Sequence, residues 1–126
     1  MKEFKPVKEG KVREIYDIGD SLILVASDRI SAFDVILKNL IVGKGTVLTK
    51  MSKFWFDLTK DVVPNHMLSV DTKDMPKFFQ NENFEGRSMM CKKLTMLPVE
   101  CIVRGYITGS GWSSYQKTGE VCGIKL

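Results

Sequence analysis

Residues 97–112, LPVECIVRGYITGSGW, bring an acid, a base, hydroxyls and three glycines into one short stretch. Polar and apolar residues alternate over 99–104, which predicts a strand with Glu100 and Arg104 on one face. The Thr-Gly-Ser-Gly turn that follows offers backbone N–H groups and hydroxyls, and its glycines allow a ligand to approach closely. A guanidinium beside such a turn suits an anion. A charged strand followed by a helix capped by Ser110 explains the same pattern equally well.

A second candidate lies in EGKVREIYDIGD, where Gly10 precedes Lys11 and Arg13. The two cations alternate with Val12, so both leave the same face of a strand. A glycine followed by such cations over a hairpin can cover a triphosphate, as the Gly-rich loop of kinases does. Neither G-x-G-x-x-G nor a Walker sequence is present. From the residues alone, a solvated edge strand is the better interpretation.

A third candidate is SDRISAFD, residues 27–34, which places charged and hydroxyl side chains directly after an apolar run. Loops at strand ends often carry function, so Arg29, Ser31 and Asp34 are candidate functional residues. The alternative is a turn in which Asp28 and Ser31 bond to local backbone.

The three stretches together resemble phosphoribosylaminoimidazole-succinocarboxamide synthase, the SAICAR synthetase family, over nearly the whole chain. The resemblance implies an ATP-dependent ligase of purine biosynthesis, which joins L-aspartate to carboxyaminoimidazole ribotide and uses ATP and Mg²⁺. It also implies a second catalytic domain with an Asp-x-Lys-x-Glu-Phe-Gly type motif. This sequence contains no such motif. We therefore expect residues 1–126 to be a single amino-terminal nucleotide-binding lobe that lacks most metal ligands and is inactive alone.

The resemblance also assigns roles to individual residues, while the catalytic residues stay unknown. The ATP phosphates would contact Lys11, Val12 and Arg13, and the adenine region would be formed by Lys92, Met96 and Glu100. The ribotide would be bound by Arg104 and its phosphate by Ser110, with Arg29, Ser31 and Asp34 in a substrate-side loop.

Composition narrows the function classes further. The formal net charge is +4, and the basic residues form no dense block. This charge pattern fits a protein that binds phosphorylated small molecules better than one that binds nucleic acid. Three cysteines without C-x-x-C spacing argue against a disulfide framework or zinc site and favour a cytoplasmic protein. No apolar run reaches membrane-spanning length. We expect small-molecule substrates, no membrane, and a homo-oligomer. A non-catalytic nucleotide-binding module and a protein that binds nucleic acid through a sheet face remain as alternatives.

We expect the elements that position these residues to form an α+β fold, an antiparallel β-sheet backed by one main helix. It resembles the small ATP-binding lobe of the kinase-like fold. The sequence pattern predicts a hairpin over residues 4–26 and a connector over residues 37–46. It predicts two more strands over residues 67–70 and 87–94. Apolar residues at helical spacing predict a helix over 47–62, capped by Thr46, with Trp55 on the sheet. Further along, residues 77–80 predict a short helical turn, 109–116 a helix and 119–126 a strand.

Overall fold

The structure is a computed structural model that describes residues 3–99, 101–103 and 105–126. The chain divides into two compact units, Met1–Thr95 and Met96–Leu126.

The first unit is built on a five-stranded antiparallel sheet. Its strands are β1 (Lys8–Glu9), β2 (Arg13–Asp17), β3 (Ser21–Ala26), β6 (Met67–Ser69) and β7 (Ser88–Lys92), in the order β1-β2-β3-β7-β6. The predicted hairpin and the two later strands are therefore confirmed. The register pairs Tyr16 with Ile23 and Ile23 with Met90 across neighbouring strands. Residues two apart along each strand lie on the same face of the sheet.

The core covers one face of this sheet. Tyr16, Ile23 and Val25 pack against Met75 and Phe79, all of them buried. Phe79 belongs to a short 3-10 helix, Lys77–Phe79, which confirms the helical turn predicted near residue 77. The Tyr16 ring meets the Phe79 ring edge-on, with centroids 5.1 Å apart, a favourable geometry for aromatic pairs. This aromatic packing anchors β2 and so the turn that precedes it.

A second, two-stranded hairpin follows β3. It consists of β4 (Arg29–Ala32) and β5 (Val35–Leu40), paired antiparallel. The predicted loop over 27–34 and connector over 37–46 are therefore wrong. Phe33 and Asp34 form the tip with φ of 48° and 67°, a left-handed turn without glycine. Such turns match the twist of a hairpin, and the sequence lacks the Asn-Gly signal that normally marks them.

Helix α1 runs over Lys44–Leu58, so the helix predicted for 47–62 is confirmed with both ends displaced. The predicted cap at Thr46 is wrong. Gly43 occupies the cap position in a left-handed conformation, and the Asp28 carboxylate accepts the Gly43 amide at 3.0 Å. An acid from the bend between β3 and β4 therefore replaces a local cap.

The packing face of α1 is also different from the predicted one. Trp55 retains 54% of its surface, and the rest of the predicted apolar stripe is exposed with it. The face with more buried positions carries Gly45, Leu48, Thr49, Ser52 and Phe56. Gly45 decides this orientation, because a β-carbon there would lie 2.6 Å from the Ala26 carbonyl oxygen. The backbone approaches the sheet where the side chain is absent.

The second unit contains helix α2 (Gly109–Thr118) and a hairpin of β8 (Glu120–Val121) and β9 (Ile124–Lys125). The predicted helix is confirmed, and Gly119 ends it with φ of 71°. The cap is Thr108 and not Ser110. The strand predicted across 99–104 is wrong for its described residues, 99 and 101–103, which adopt no strand. Val103 is 99% exposed. Alternation alone does not make a strand when no neighbouring strand pairs with it.

No helix among the described residues is both long and apolar enough to span a membrane.

Candidate functional site

The turn over residues 10–13 has backbone donors available to a ligand. The Gly10 amide donates to the Arg13 carbonyl at 2.7 Å, and the Val12 carbonyl accepts from the Ser27 amide at 2.9 Å. Within the described part of the chain, the backbone N–H groups of Lys11 and Val12 donate to no acceptor. Successive free N–H groups beside cationic side chains form a concavity suited to phosphate.

Lys11 and Asp34, both predicted site residues, lie together. The Lys11 ammonium forms an ion pair with the Asp34 carboxylate at the tip of the β4–β5 hairpin. Both side chains are more than half exposed, so the pair is weak and is readily exchanged for another anion.

Arg13 is the first residue of β2 and borders a small cavity between the sheet and α1. The cavity of about 70 Å³ is also lined by Leu24, Thr49 and His66. It has room for water but not for a nucleotide. A phosphate contact by Arg13 would therefore have to lie outside this cavity.

Arg29 and Ser31 lie on β4. The Arg29 guanidinium donates to the Gly10 carbonyl, to Glu14 and to Ser27. Ser31 is exposed. Arg29 borders an open cleft of about 590 Å³, lined by Arg87 as its second cation and by four acids. This excess of negative charge disfavours a phosphorylated substrate in that cleft.

Lys92 ends β7, and its side chain is exposed beside a cavity of about 480 Å³ also lined by Phe56, His66 and Leu94. The neighbouring Lys93 donates to Asp17 at 2.6 Å. This hydrogen bond is the main cause that lowers the pKa of Asp17. Of the two lysines, Lys92 has no ion pair within the described residues, and it is therefore the one available to a ligand.

Met96, Glu100, Arg104 and Ser110 belong to the second unit. Met96 is 86% exposed. Glu100 and Arg104 lie outside the described residues. Ser110 is the second residue of α2 and lines a pocket of about 470 Å³ together with Gly105, Gly109 and Gly111. A helix N-terminus with a hydroxyl and small neighbours favours an anion.

Glu14 is an acid that the sequence reasoning missed. It accepts from the Tyr16 hydroxyl at 3.0 Å and from Arg29 at 3.5 Å. Burial, followed by the hydrogen bond to Glu14, raises the pKa of Tyr16 to about 12. The available signal was the placement of Glu14 two residues before Tyr16, on the core-facing side of β2.

The sequence pattern predicts Asp28 only as a turn residue that bonds to local backbone. Its carboxylate instead accepts the amides of Gly45 at 2.8 Å and Gly43 at 3.0 Å. The Gly45 bond is the larger cause and the Gly43 bond the second cause of a lowered pKa of Asp28. Asp28 therefore anchors helix α1 and is not a free ligand.

No group of three or more His, Cys, Asp or Glu side chains that could hold a metal occurs in the ranges 3–99, 101–103 and 105–126.

The chain resembles known proteins along almost its whole length. The family model described as SAICAR synthetase matches residues 6–125. The phosphoribosylaminoimidazole-succinocarboxamide synthase of Lachnospira eligens is 72% identical over 118 residues, which cover 94% of this chain and 40% of that protein. The enzyme of the same name from Geobacter sulfurreducens is 56% identical over 98% of this chain and 43% of its own length. The chain thus spans about two fifths of these relatives.

Solved structures agree with the sequence relatives. The SAICAR synthase of Saccharomyces cerevisiae, in complex with SAICAR, superposes with a TM-score of 0.86 at 42% identity, covering 98% of this chain and 44% of that one. A type-2 SAICAR synthetase in complex with ADP superposes with a TM-score of 0.65 at 26% identity, covering 98% and 46%. The family model covers residues 6–125 and the solved structures share the fold, so the chain belongs to the SAICAR synthetase family.

Proposed function

We propose that this chain supplies the nucleotide-binding part of an ATP-dependent ligase that joins L-aspartate to carboxyaminoimidazole ribotide. The products would be succinocarboxamide ribotide, ADP and phosphate. The observation that carries the proposal is the turn over residues 10–13, where two unpaired backbone N–H groups lie beside Lys11 and Arg13. Family membership supports the same assignment, as does the ADP complex of a structural neighbour.

The proposed chemistry has two steps. The substrate carboxylate attacks the γ-phosphorus of ATP, which forms an acyl phosphate and releases ADP. The aspartate amine then attacks the acyl carbon, phosphate leaves, and the amine loses its proton. These steps need positioning and charge stabilisation but no covalent protein nucleophile. Lys11, Val12 and Arg13 would orient the ATP phosphates, while Lys92, Met96 and Glu100 would surround the base.

On the substrate side, Arg104 would hold the ribotide and Ser110 its phosphate. The pocket beside Ser110 supports this role, because α2 presents its N-terminal amides there. Arg104→Lys keeps the charge but loses the bidentate fork. We expect it to weaken ribotide binding by about 1.5–3 kcal/mol and to leave ATP binding nearly unchanged.

The wider setting belongs to the proposal as well. Mg²⁺ would arrive with the ATP phosphates, since the described residues offer it no ligand cluster. The free thiols Cys91, Cys101 and Cys122 fit a reducing, cytoplasmic environment. A homo-oligomer is supported by the exposed apolar face of α1. Neither nucleic acid nor a membrane is proposed as a partner.

Calorimetry with MgATP and MgADP tests the nucleotide-binding role. We expect saturable binding that Lys11→Met weakens. No ligase turnover is expected from this chain alone, because its relatives are more than twice as long. Absence of nucleotide binding in the folded chain would contradict the proposal. Product formation in proportion to this chain would contradict the expected division of the active site, and binding without turnover in a full-length family member would favour the non-catalytic module.

A further inference from the structure

Arg29 joins β4 to the turn that precedes β2. Its Nη2 donates to the Gly10 carbonyl at 3.3 Å and to Glu14 Oε1 at 3.5 Å, and its Nε donates to Ser27 Oγ at 3.2 Å. The side chains of Arg29 and Glu14 are only 27% and 26% exposed. A guanidinium with three partners and little solvent exposure has few alternative orientations.

A hydrogen bond to the Gly10 carbonyl restrains the turn at the peptide that also carries the Lys11 amide. The peptide that supplies this carbonyl also supplies the N–H of Lys11, because the two groups share one planar unit. Arg29 therefore holds the orientation of the Lys11 amide through the opposite end of the same peptide. The Gly10 amide is tied separately to the Arg13 carbonyl at 2.7 Å.

The network extends from the turn into the core. Glu14, which accepts from Arg29, also accepts from the Tyr16 hydroxyl at 3.0 Å, and Tyr16 is buried. The same β4–β5 hairpin contacts the turn a second time at its tip, where Asp34 pairs with Lys11. Phe33 and Asp34 hold that tip in a left-handed conformation that ordinary residues adopt at some energetic cost.

We propose that Arg29 is a positioning residue for the nucleotide phosphate turn and not a ligand of the ribotide. The inference rests on the proposed ATP-binding role of residues 10–13. By fixing the Gly10–Lys11 peptide, Arg29 orients the Lys11 N–H before ATP arrives, and this preorganisation lowers the entropic cost of binding. The four acids around the cleft beside Arg29 oppose a direct role with a phosphorylated substrate.

The test compares Arg29→Lys with a matched control, Arg87→Lys. Arg87 lines the same cleft, but its guanidinium donates to the carbonyls of Asn83 and Ala26 and not to the turn. The first readout is the ¹⁵N order parameter of the Lys11 and Val12 amides in nucleotide-free protein. In Arg29→Lys we expect it to fall from about 0.85 towards 0.6, while the control leaves it unchanged. A general loss of stability would not loosen this turn selectively.

The second readout is ligand affinity. Arg29→Lys should weaken MgATP binding about tenfold and leave the affinity for ribose 5-phosphate unchanged. If Arg29→Lys does not fold, Glu14→Gln provides the same test, because it removes the charged partner of Arg29 at nearly constant size.

Three outcomes are decisive. Unchanged order parameters in the folded variants would overturn the inference. A selective loss of ribose 5-phosphate binding would also overturn it, in favour of Arg29 as a substrate ligand. If the wild-type chain binds no nucleotide, the proposed function fails, whereas the order parameters still decide whether Arg29 holds the turn.

Discussion

The carboxylate of Asp28 accepts the amide hydrogen of Gly45, with 2.8 Å between Oδ1 and N. Gly45 lies in the first turn of α1, where amides have no partner within the helix. The same residue allows the helix backbone to approach the Ala26 carbonyl. One acid and one glycine therefore fix both the start of α1 and the distance between the helix and the sheet.

Gly45→Ala should destabilise the first unit. The added β-carbon would lie 2.6 Å from the Ala26 carbonyl oxygen, and a backbone atom cannot move aside without shifting the helix. We expect a loss of about 1–3 kcal/mol in the free energy of unfolding, measured by urea denaturation. Gly105→Ala is the control, because a β-carbon there has no neighbour within 4 Å. Equal stability of the two variants would contradict this account of the helix contact.

The lowered pKa of Asp28 predicts a loss of stability in acid. The folded state favours the carboxylate form, so Asp28 stabilises the fold at pH values above its ordinary pKa of about 4. That contribution is lost as the pH falls through the lowered folded value. Asp28→Asn should be less stable at neutral pH and should lose less stability between about pH 5 and pH 3. The pKa of Asp17 is also lowered, so the Asp28→Asn variant should still lose some stability as the pH falls. Parallel curves for variant and wild type would exclude the role of Asp28.

The sequence predicted which segments would be helical or extended better than it predicted which face they bury. The apolar run of β3 and the helical spacing in α1 are local properties that can be read directly from the sequence. The orientation of α1 depends on Ala26, at the end of β3, and on Asp28, in the bend that follows it. The stripe through Phe54 and Trp55 looked like a core face because it is the more apolar one. The position of the small residue Gly45 outweighed it.

Thiol reactivity should separate the three cysteines. Burial raises the pKa of Cys91 to about 11, and its side chain is almost fully covered. Cys101 and Cys122 are exposed. With Ellman's reagent at neutral pH, we expect two thiols to react quickly and the third only after denaturation, because the thiolate is the reactive form. Cys91→Ala should leave the fast phase intact. Fast reaction of all three thiols in the folded protein would show that the strand β7 is more open than described.

Self-association should follow from the exposed apolar face of α1. Met51, Phe54, Trp55 and Leu58 are each more than half exposed. An isologous dimer buries one such patch on both copies at once. Sedimentation velocity should show association that increases with protein concentration, and Trp55→Glu should reduce it. Lys60→Ala, an exposed change just beyond the end of the same helix, is the control. A monomer at all concentrations would contradict this prediction.

The candidate site was predicted unevenly, for a physical reason. Lys11 and Asp34 were chosen separately, and the structure pairs them. The contact joins residues that are far apart in sequence, and it depends on a hairpin that the sequence did not reveal. Glu14 was missed because its neighbours Tyr16 and Arg29 come from the core and from that same hairpin. Short motifs indicate chemistry, but only tertiary packing decides which of their side chains remain available.

Lys11 and Ser110 should affect different ligands, because the proposal assigns Lys11 to the ATP phosphates and Ser110 to the phosphate of the ribotide. Lys11→Met removes a cation beside the free amides of the phosphate turn. We expect it to weaken MgATP binding by roughly tenfold to a hundredfold and to leave ribose 5-phosphate binding unchanged. Ser110→Ala removes one neutral donor at the start of α2. It should weaken ribose 5-phosphate binding by roughly threefold to tenfold, and less if backbone amides share the phosphate.

Lys53→Met is the matched control for the loss of a lysine, because Lys53 pairs with Asp57 on the exposed side of α1. It should change neither affinity. Calorimetry with each ligand, together with the melting temperature of each variant, separates binding from folding. Suppose that Lys11→Met weakened the binding of MgATP and of ribose 5-phosphate equally at an unchanged melting temperature. The ATP phosphates and the ribotide phosphate could then not have separate sites. The assignment of ATP to the turn and of the ribotide phosphate to α2 would then be wrong.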